Sequence, residues 1–307
     1  MRAVVKKILI ASGILVVVGI LLMTVAYMMG WNTGFRTTIK GVRLESSYQD
    51  YASGPINIGE IKSVDVRVED GNITFKESNK YYIEYNYWGV DYAPEYQVKD
   101  GKLTFSDKNV YDAGFGMVWN FGSWTKTMPE PNEVVIGLPK DAYLDVVSLK
   151  SNDNNMQLQS ISCKNLTISG SYGNLDAAGI TCDAMDVSWD DGNYSLKNSE
   201  VKDLNLRVDY GIASVSDAKC DSLKMNISDG SLKTENIDFV QAEIVTDYSN
   251  VDMTLPEKEE AYSYDVKVEY GNITLNGDEL GEKYQREKGD KLLQITTADG
   301  NVNIKSK

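Results

Sequence analysis

The strongest constraint on this chain is a turn that returns every 19 residues. "DDGNYSL" at 190–196 looks at first like a hairpin, with Asp-Gly between two alternating runs. Yet "SYGNLDA" stands 19 residues upstream, "DYGIASV" 19 downstream and "SDGSLKT" 19 further on. With the turn residue as marker, the equivalent positions are Asn154, Gly173, Gly192, Gly211, Gly230 and Ser249. A fixed period of this length predicts stacked supersecondary units.

The other columns carry the same phase. Seven residues before the marker stand Val147, Leu166, Met185, Leu204, Leu223 and Ala242; five before it stand Leu149, Ile168, Val187, Leu206, Met225 and Ile244. After the turn come Met156, Leu175, Tyr194, Ala213, Leu232 and Val251. Apolar positions alternate within each unit, as half-buried strands require, and coincide between units, so successive units bury one continuous core. The expected fold class is all-β: a parallel β-solenoid of 19-residue coils. Nineteen Tyr, 25 Gly and only six Pro suit that expectation.

Two further columns follow. Cys163, Cys182 and Cys220 share one position and read as inward-facing small residues; adjacent coils, about 4.8 Å apart, would also allow a Cys163–Cys182 disulfide. Asn155, Asn174, Asn193 and Asn250 form a ladder just after the marker, interrupted by Ile212 and Ser231. Outside the strict array the turn recurs as "EDGNITF" (69–75), "KDGKLTF" (99–105), "EYGNITL" (269–275) and "ADGNVNI" (298–304), so the solenoid is expected to extend in both directions.

Ahead of the array, Ile8 to Met29 is an uncharged, mostly apolar run, long enough to cross a hydrocarbon core as a helix. Arg2, Lys6 and Lys7 precede it, which predicts a cytoplasmic N-terminus and an uncleaved anchor, although Arg36, Lys40 and Arg43 weaken the asymmetry. The expected organisation is a short cytoplasmic tail (1–7), a transmembrane helix (8–30), a linker (31–60) and an extracytoplasmic β-solenoid (61–307). An aromatic insert interrupts the solenoid at about 106–132.

The segment "EVVIGLPKDAYLDVVSLKSNDNNMQL" (133–158), with the repeated Gly-Asn corners after it, resembles the bacterial "putative adhesin" family of β-strand-repeat domains. The resemblance covers most of residues 60–304. It implies a parallel β-helix-like domain behind one membrane helix in a Gram-positive envelope, in some cases tied to envelope-stress responses. Its motifs encode turns and packing, so it supplies no functional residues.

Several function classes are excluded or disfavoured. The net charge of −14 argues against a nucleic-acid partner. The complete absence of His removes Ser-His-Asp and Cys-His catalysis. "SEVK" (199–202) and "SDAK" (216–219) match a Ser-x-x-Lys pattern but lie in the second half of a coil, not at the helix start with a buried neutral Lys that a Ser-Lys nucleophile needs, and read as chance. One position before the marker, Asp153, Tyr172, Asp191, Tyr210, Asp229 and Tyr248 alternate strictly. Carboxylates two coils apart are too far from each other to share a cation, which leaves only Asp190 and Asp209, on adjacent coils, as metal candidates; turn chemistry is the preferred explanation of both, and no metal is expected. No cofactor is expected.

The candidate binding residues are Tyr111, Phe115, Trp119, Phe121 and Trp124 of the insert, read as either a lid over an open sheet edge or a contact surface. The expected function is a non-catalytic scaffold: adhesin-like, or sensing envelope stress. The partners would be a membrane protein or another envelope component, or a cationic antimicrobial peptide drawn by the negative field. The rival class is an envelope glycan-processing enzyme on a β-helix, which needs facing carboxylates.

Overall fold

The computed structural model describes residues 2–28, 34–38, 41–44, 49–90, 93–107, 118–120 and 131–307. They fall into two compact units.

The first unit comprises Met1–Asp50, Trp88–Tyr92 and Val110–Glu130. Its helix, Arg2–Met28, starts before the expected span, because "RAVVKK" contains no helix breaker and propagates the helical turn. Within it, Val5–Val25, with a mean hydropathy of 2.9, is long and apolar enough to cross a membrane. Residues 31–60, expected as a linker, contain strands Gly34–Thr38, Gly41–Leu44 and Gln49–Asn57. The first two pair antiparallel, Phe35 beside Leu44 and Thr38 beside Gly41. Val118–Asn120 adds a third strand, with Trp119 beside Phe35.

The second unit, Tyr51–Tyr87, Ala93–Asn109 and Pro131–Lys307, is a solenoid-like β-structure. Its long strands are Ser162–Ala178, Thr181–Asp209 and Ile212–Ser228. They lie parallel, and the register between them is 19 residues: Leu166 lies beside Met185, Ile168 beside Val187 and Leu175 beside Tyr194. Leu204 lies beside Leu223 and Leu206 beside Met225. Ala242 and Ile244, in Asp238–Asp247, continue the same files. All these side chains are buried. Each fully buried Leu, Ile or Met stabilises the fold by about 1.5–3 kcal/mol, so the files hold the coils together without a disulfide. Cys163, Cys182 and Cys220 are free and buried, Cys163 directly beside Cys182.

Toward the N-terminal side the array continues through "EDGNITF". Ser63–Val68 stacks on Leu144–Ser151, with Val64 beside Val147, and Asn72–Ser78 stacks on Met156–Gln159, with Ile73 beside Met156. "KDGKLTF" is not a corner of this kind. It closes an antiparallel hairpin between Glu95–Lys99 and Lys102–Ser106, and the left-handed φ values of Asp100 (50°) and Gly101 (72°) are those of a type I′ turn.

Toward the C-terminal side the stacking order departs from chain order. Lys291–Asp299 lies between Asp238–Asp247 and Tyr262–Tyr270, parallel to both. Val302–Lys305 likewise lies between Asn250–Thr254 and Ile273–Leu275. The last coil of the chain is therefore inserted beneath the one before it. Thr246 and Thr297 share a buried hydrogen bond at 3.0 Å across this junction, and Lys291 forms ion pairs with Asp238 and Glu257.

The parallel stack ends in antiparallel strands on both sides. Tyr82–Val90 runs against Glu133–Pro139, and Glu95–Lys99 against Lys102–Ser106. At the other end Lys283–Arg286 runs against Tyr262–Tyr270, and Asp278–Gly281 against Ile273–Leu275. These strands cover edges that would otherwise template aggregation.

Candidate functional site

The marker residues form a corner at which successive backbones touch. A Cβ on Gly192 would lie 1.8 Å from the Gly173 carbonyl oxygen, and one on Gly211 1.8 Å from that of Gly192. Only glycine fits so close an approach. Beyond the strict array the file runs on through Gly300, packed on the Ser249 carbonyl, and Gly271, packed on that of Gly300.

Beside this file runs a ladder of amides. Asn174 Nδ2 donates to Asn155 Oδ1 at 3.2 Å, and Asn193 Nδ2 to Asn174 Oδ1 at 3.0 Å. Where Ile212 interrupts the ladder, its backbone N–H donates to Asn193 Oδ1 at 3.2 Å. The ladder extends to Asn72 on one side, which accepts from the Asn155 N–H. On the other side Asn250 accepts from the Asn301 N–H, and Asn301 from the Asn272 N–H. Corner stabilisation accounts for these residues fully.

It does not account for the residue just before the marker. In stacking order from Asp153 onward this file reads Asp153, Tyr172, Asp191, Tyr210, Asp229, Tyr248, Asp299 and Tyr270; on the coil before it the equivalent residue is Asp70, so the alternation begins at Asp153. Tyr270 lies directly beside Asp299, and the Ser249 N–H donates to the Asp299 carbonyl at 2.9 Å. The alternation thus survives the exchange of the last two coils. The Tyr side chains project into solvent, with Tyr172 59%, Tyr210 60%, Tyr248 65% and Tyr270 67% exposed. All four Asp residues are exposed as well.

Tyr172, Tyr210 and Tyr248 hold φ values of 53°, 54° and 49°. This left-handed conformation is ordinary for Gly, Asn and Asp and an outlier for a bulky residue. A second corner provides an internal comparison. There the left-handed positions are Ser160, Gly179, Asn198, Asp217 and Asn236, all small or polar, and this 19-residue column is a signal the sequence reading missed. Asn236 Nδ2 donates to Asp217 Oδ1 at 2.6 Å, and a shallow depression of about 310 Å³ lies beside them. Turn chemistry alone selects such residues. Tyrosine on alternate coils of the first corner is an additional choice.

Two residues before the marker, Asp190, Asp209, Asp247 and Glu269 add negative charge along the same edge. Asp209 accepts a hydrogen bond from Arg207 Nη2 at 3.0 Å, so a metal ion at Asp190 and Asp209 would have to compete with a guanidinium. Asp190 lies beside Ser171, and Asp209 beside Ser228. Among the described residues no three His, Cys, Asp or Glu converge on a metal position. Of the aromatic insert, Trp119 lies in the strand Val118–Asn120; Tyr111, Phe115, Phe121 and Trp124 lie outside the described residues.

A buried carboxylate holds the first recurrence of the turn. Asp107 accepts hydrogen bonds from the backbone N–H groups of Glu69 at 2.7 Å and Asp70 at 3.1 Å. Burial pushes its carboxyl above the ordinary range, against the pull of those two N–H groups. On the neighbouring strand burial also acts on Asp65, but the hydrogen bonds and charges of Lys102 and Arg67 outweigh it and hold the carboxyl below that range.

Comparison with curated proteins finds no match. Among solved structures, a "putative adhesin" from Parabacteroides distasonis is 11% identical, with 85% of this chain and 98% of that one covered and a TM-score of 0.46. One from Parabacteroides merdae is 12% identical, with coverage of 84% and 96% and a TM-score of 0.46. One from Bacteroides fragilis is 15% identical, with coverage of 84% and 97% and a TM-score of 0.36. Residues 61–305, the greater part of the sequence, match the domain described as Toastrack DUF4097. The chain belongs to the Toastrack DUF4097 family.

Proposed function

We propose that this protein is a membrane-anchored, non-catalytic binding scaffold. In this reading the second unit is a parallel β-solenoid of 19-residue coils. The N-terminal helix holds it to the plasma membrane with the N-terminus in the cytoplasm and the solenoid outside, on a Gram-positive surface. The solenoid presents the Tyr/Asp edge to an envelope partner. The observation that carries this reading is the file of four solvent-exposed tyrosines alternating with four exposed aspartates along one corner. Three of those rings occupy backbone positions that cost less with Asn or Gly.

The test is site-specific photo-crosslinking in intact membranes of the full chain. The photoreactive residue replaces Tyr172, Tyr210 or Tyr248 in turn, with Lys224 and Glu243 on a flat strand face as comparison positions. A scaffold gives a discrete adduct from the edge positions and none from the strand face. Adducts spread evenly over all positions would contradict it, as would wall-polysaccharide cleavage by the purified chain that disappears on Asp→Asn substitution at the edge.

A further inference from the structure

We infer that the Tyr/Asp edge binds a basic, proline-rich peptide segment in the polyproline II conformation; this deepens the scaffold reading and rests on it. Three observations point to that partner.

The first is spacing. Like residues on the edge recur every second coil, about 9.6 Å apart at the ordinary strand spacing of about 4.8 Å. A polyproline II helix has three residues per turn at about 3.1 Å each, so it presents the same face about every 9.3 Å. Over the four rings the accumulated mismatch is about 1 Å, from the same two spacings. A β-strand repeats its face about every 6.8 Å and an α-helix about every 5.4 Å; neither keeps step with the rings.

The second is chemistry. A proline lies flat on an exposed aromatic ring, the contact used by aromatic grooves that recognise polyproline segments. An Arg or Lys on the same turn reaches the next carboxylate, Asp191, Asp229 or Asp299, and gains a charge-assisted hydrogen bond with a cation–π contact to the flanking ring. The parallel row of Asp190, Asp209, Asp247 and Glu269 deepens the negative field, with Arg207 bonded to Asp209 within it. An anionic partner would meet carboxylates at every turn.

The third is that the rings have no internal task. Among the described residues, no ring contact or side-chain hydrogen bond holds Tyr172, Tyr210, Tyr248 or Tyr270. Their aromatic faces are left in water, and Tyr172, Tyr210 and Tyr248 sit at backbone positions that disfavour them. A preorganised, low-entropy ligand is the kind that a rigid, evenly spaced file can hold.

The experiment uses the full chain in lipid nanodiscs and a fluorescent peptide of four Arg-Pro-Pro repeats, read by anisotropy. The comparison probes are a peptide of the same composition with its Arg residues in one block, a Glu-Pro-Pro repeat and a β-1,4-linked N-acetylglucosamine oligomer. The key variant carries Tyr210→Asn with Tyr248→Asn. Asn accepts the left-handed backbone, so the corner persists without the rings; Tyr143→Asn, an exposed Tyr off the edge, is the control. The expected result is saturable binding of the Arg-Pro-Pro repeat, weakened at least about tenfold in the double variant and unchanged by Tyr143→Asn. The blocked peptide should bind several-fold more weakly, and the Glu-Pro-Pro repeat not at all. Equal binding of the blocked and repeating peptides, or an unaffected double variant, reduces the effect to net charge and overturns the inference. Binding of the sugar oligomer in place of the peptide overturns it too and makes the edge a glycan reader. If no probe binds while edge crosslinks persist in membranes, this partner class falls and the scaffold stands; if the crosslinks vanish as well, both fall.

Discussion

Trp189 occupies the space that Gly170, beside it on the neighbouring coil, leaves open. The indole is fully buried, its Nε1 donates to the Gly173 carbonyl at 3.1 Å, and a Cβ on Gly170 would lie 2.2 Å from the ring. The largest side chain of the core and a residue with no side chain are thus a matched pair. Gly170→Ala should destabilise the domain by about 1–3 kcal/mol through overpacking, and Trp189→Ala by about 3–5 kcal/mol. Gly170→Ala together with Trp189→Ala should cost less than the sum of the two, because the enlarged residue then faces an emptied space. Urea unfolding of the four chains measures this; additive losses in the double variant would mean the two positions are not in contact.

The three cysteines should be inert in the folded chain. Burial pushes the Cys220 thiol up to about 12, and the hydrogen bond with Cys182, together with burial, pushes Cys163 higher still. Iodoacetamide at mildly alkaline pH should therefore add no label to the native protein and three labels after unfolding without reductant. A single label in the unfolded protein would reveal a Cys163–Cys182 disulfide instead.

Asp107 and Asp65 should give opposite pH dependences. Asp107 binds its proton more tightly folded than unfolded, so its contribution to stability is present below about pH 3.8 and is lost as pH rises through its folded value. Asp65 is the reverse: its contribution is present above about pH 3.8 and is lost as pH falls through its lower folded value. The stability of wild type relative to Asp107→Asn should therefore improve on acidification, and relative to Asp65→Asn should worsen. Denaturant titrations between pH 3 and 7 test both signs, and parallel trends would contradict the assigned environments.

Tyr210→Asn should stabilise the domain by about 0.5–1 kcal/mol, because Asn adopts left-handed backbone at less cost than Tyr and, among the described residues, no ring pair or side-chain hydrogen bond of Tyr210 is lost. Thermal melting of the full chain measures it. A loss of stability would show that the ring supports the fold and is not reserved for a partner.

Much of this architecture is legible in the sequence because the period places chemically alike residues at one phase. Leu166, Met185, Leu204 and Leu223 are buried as their column requires, and the Asp/Tyr alternation from Asp153 to Tyr248 is visible without coordinates. The exchange of the last two coils is not. "EYGNITL" and "ADGNVNI" carry the same corner and the same apolar phase, so either could follow Asn250–Thr254; the structure places "ADGNVNI" there, where Lys291 pairs with Asp238 and Glu257 across 53 and 34 residues of chain, contacts that no local pattern announces. "KDGKLTF" misleads for a related reason. Asp-Gly serves a corner and a hairpin equally well, and only the pairing of Lys99 with Lys102 decides. The antiparallel strand Gly34–Thr38 was hidden by short length, since four or five alternating residues carry little periodic signal.

The most direct test of the whole account is disulfide trapping at residues 19 apart. Lys224 and Glu243 are exposed, lie side by side on parallel strands and form an ion pair at 3.1 Å, within the backbone reach of a disulfide. In the full chain, Lys224→Cys with Glu243→Cys should oxidise rapidly and completely under mild conditions, whereas Lys224→Cys with Asp252→Cys should not. Failure of the first pair to close, or equal closure of both, would contradict the stacking on which the exposed Tyr/Asp edge depends.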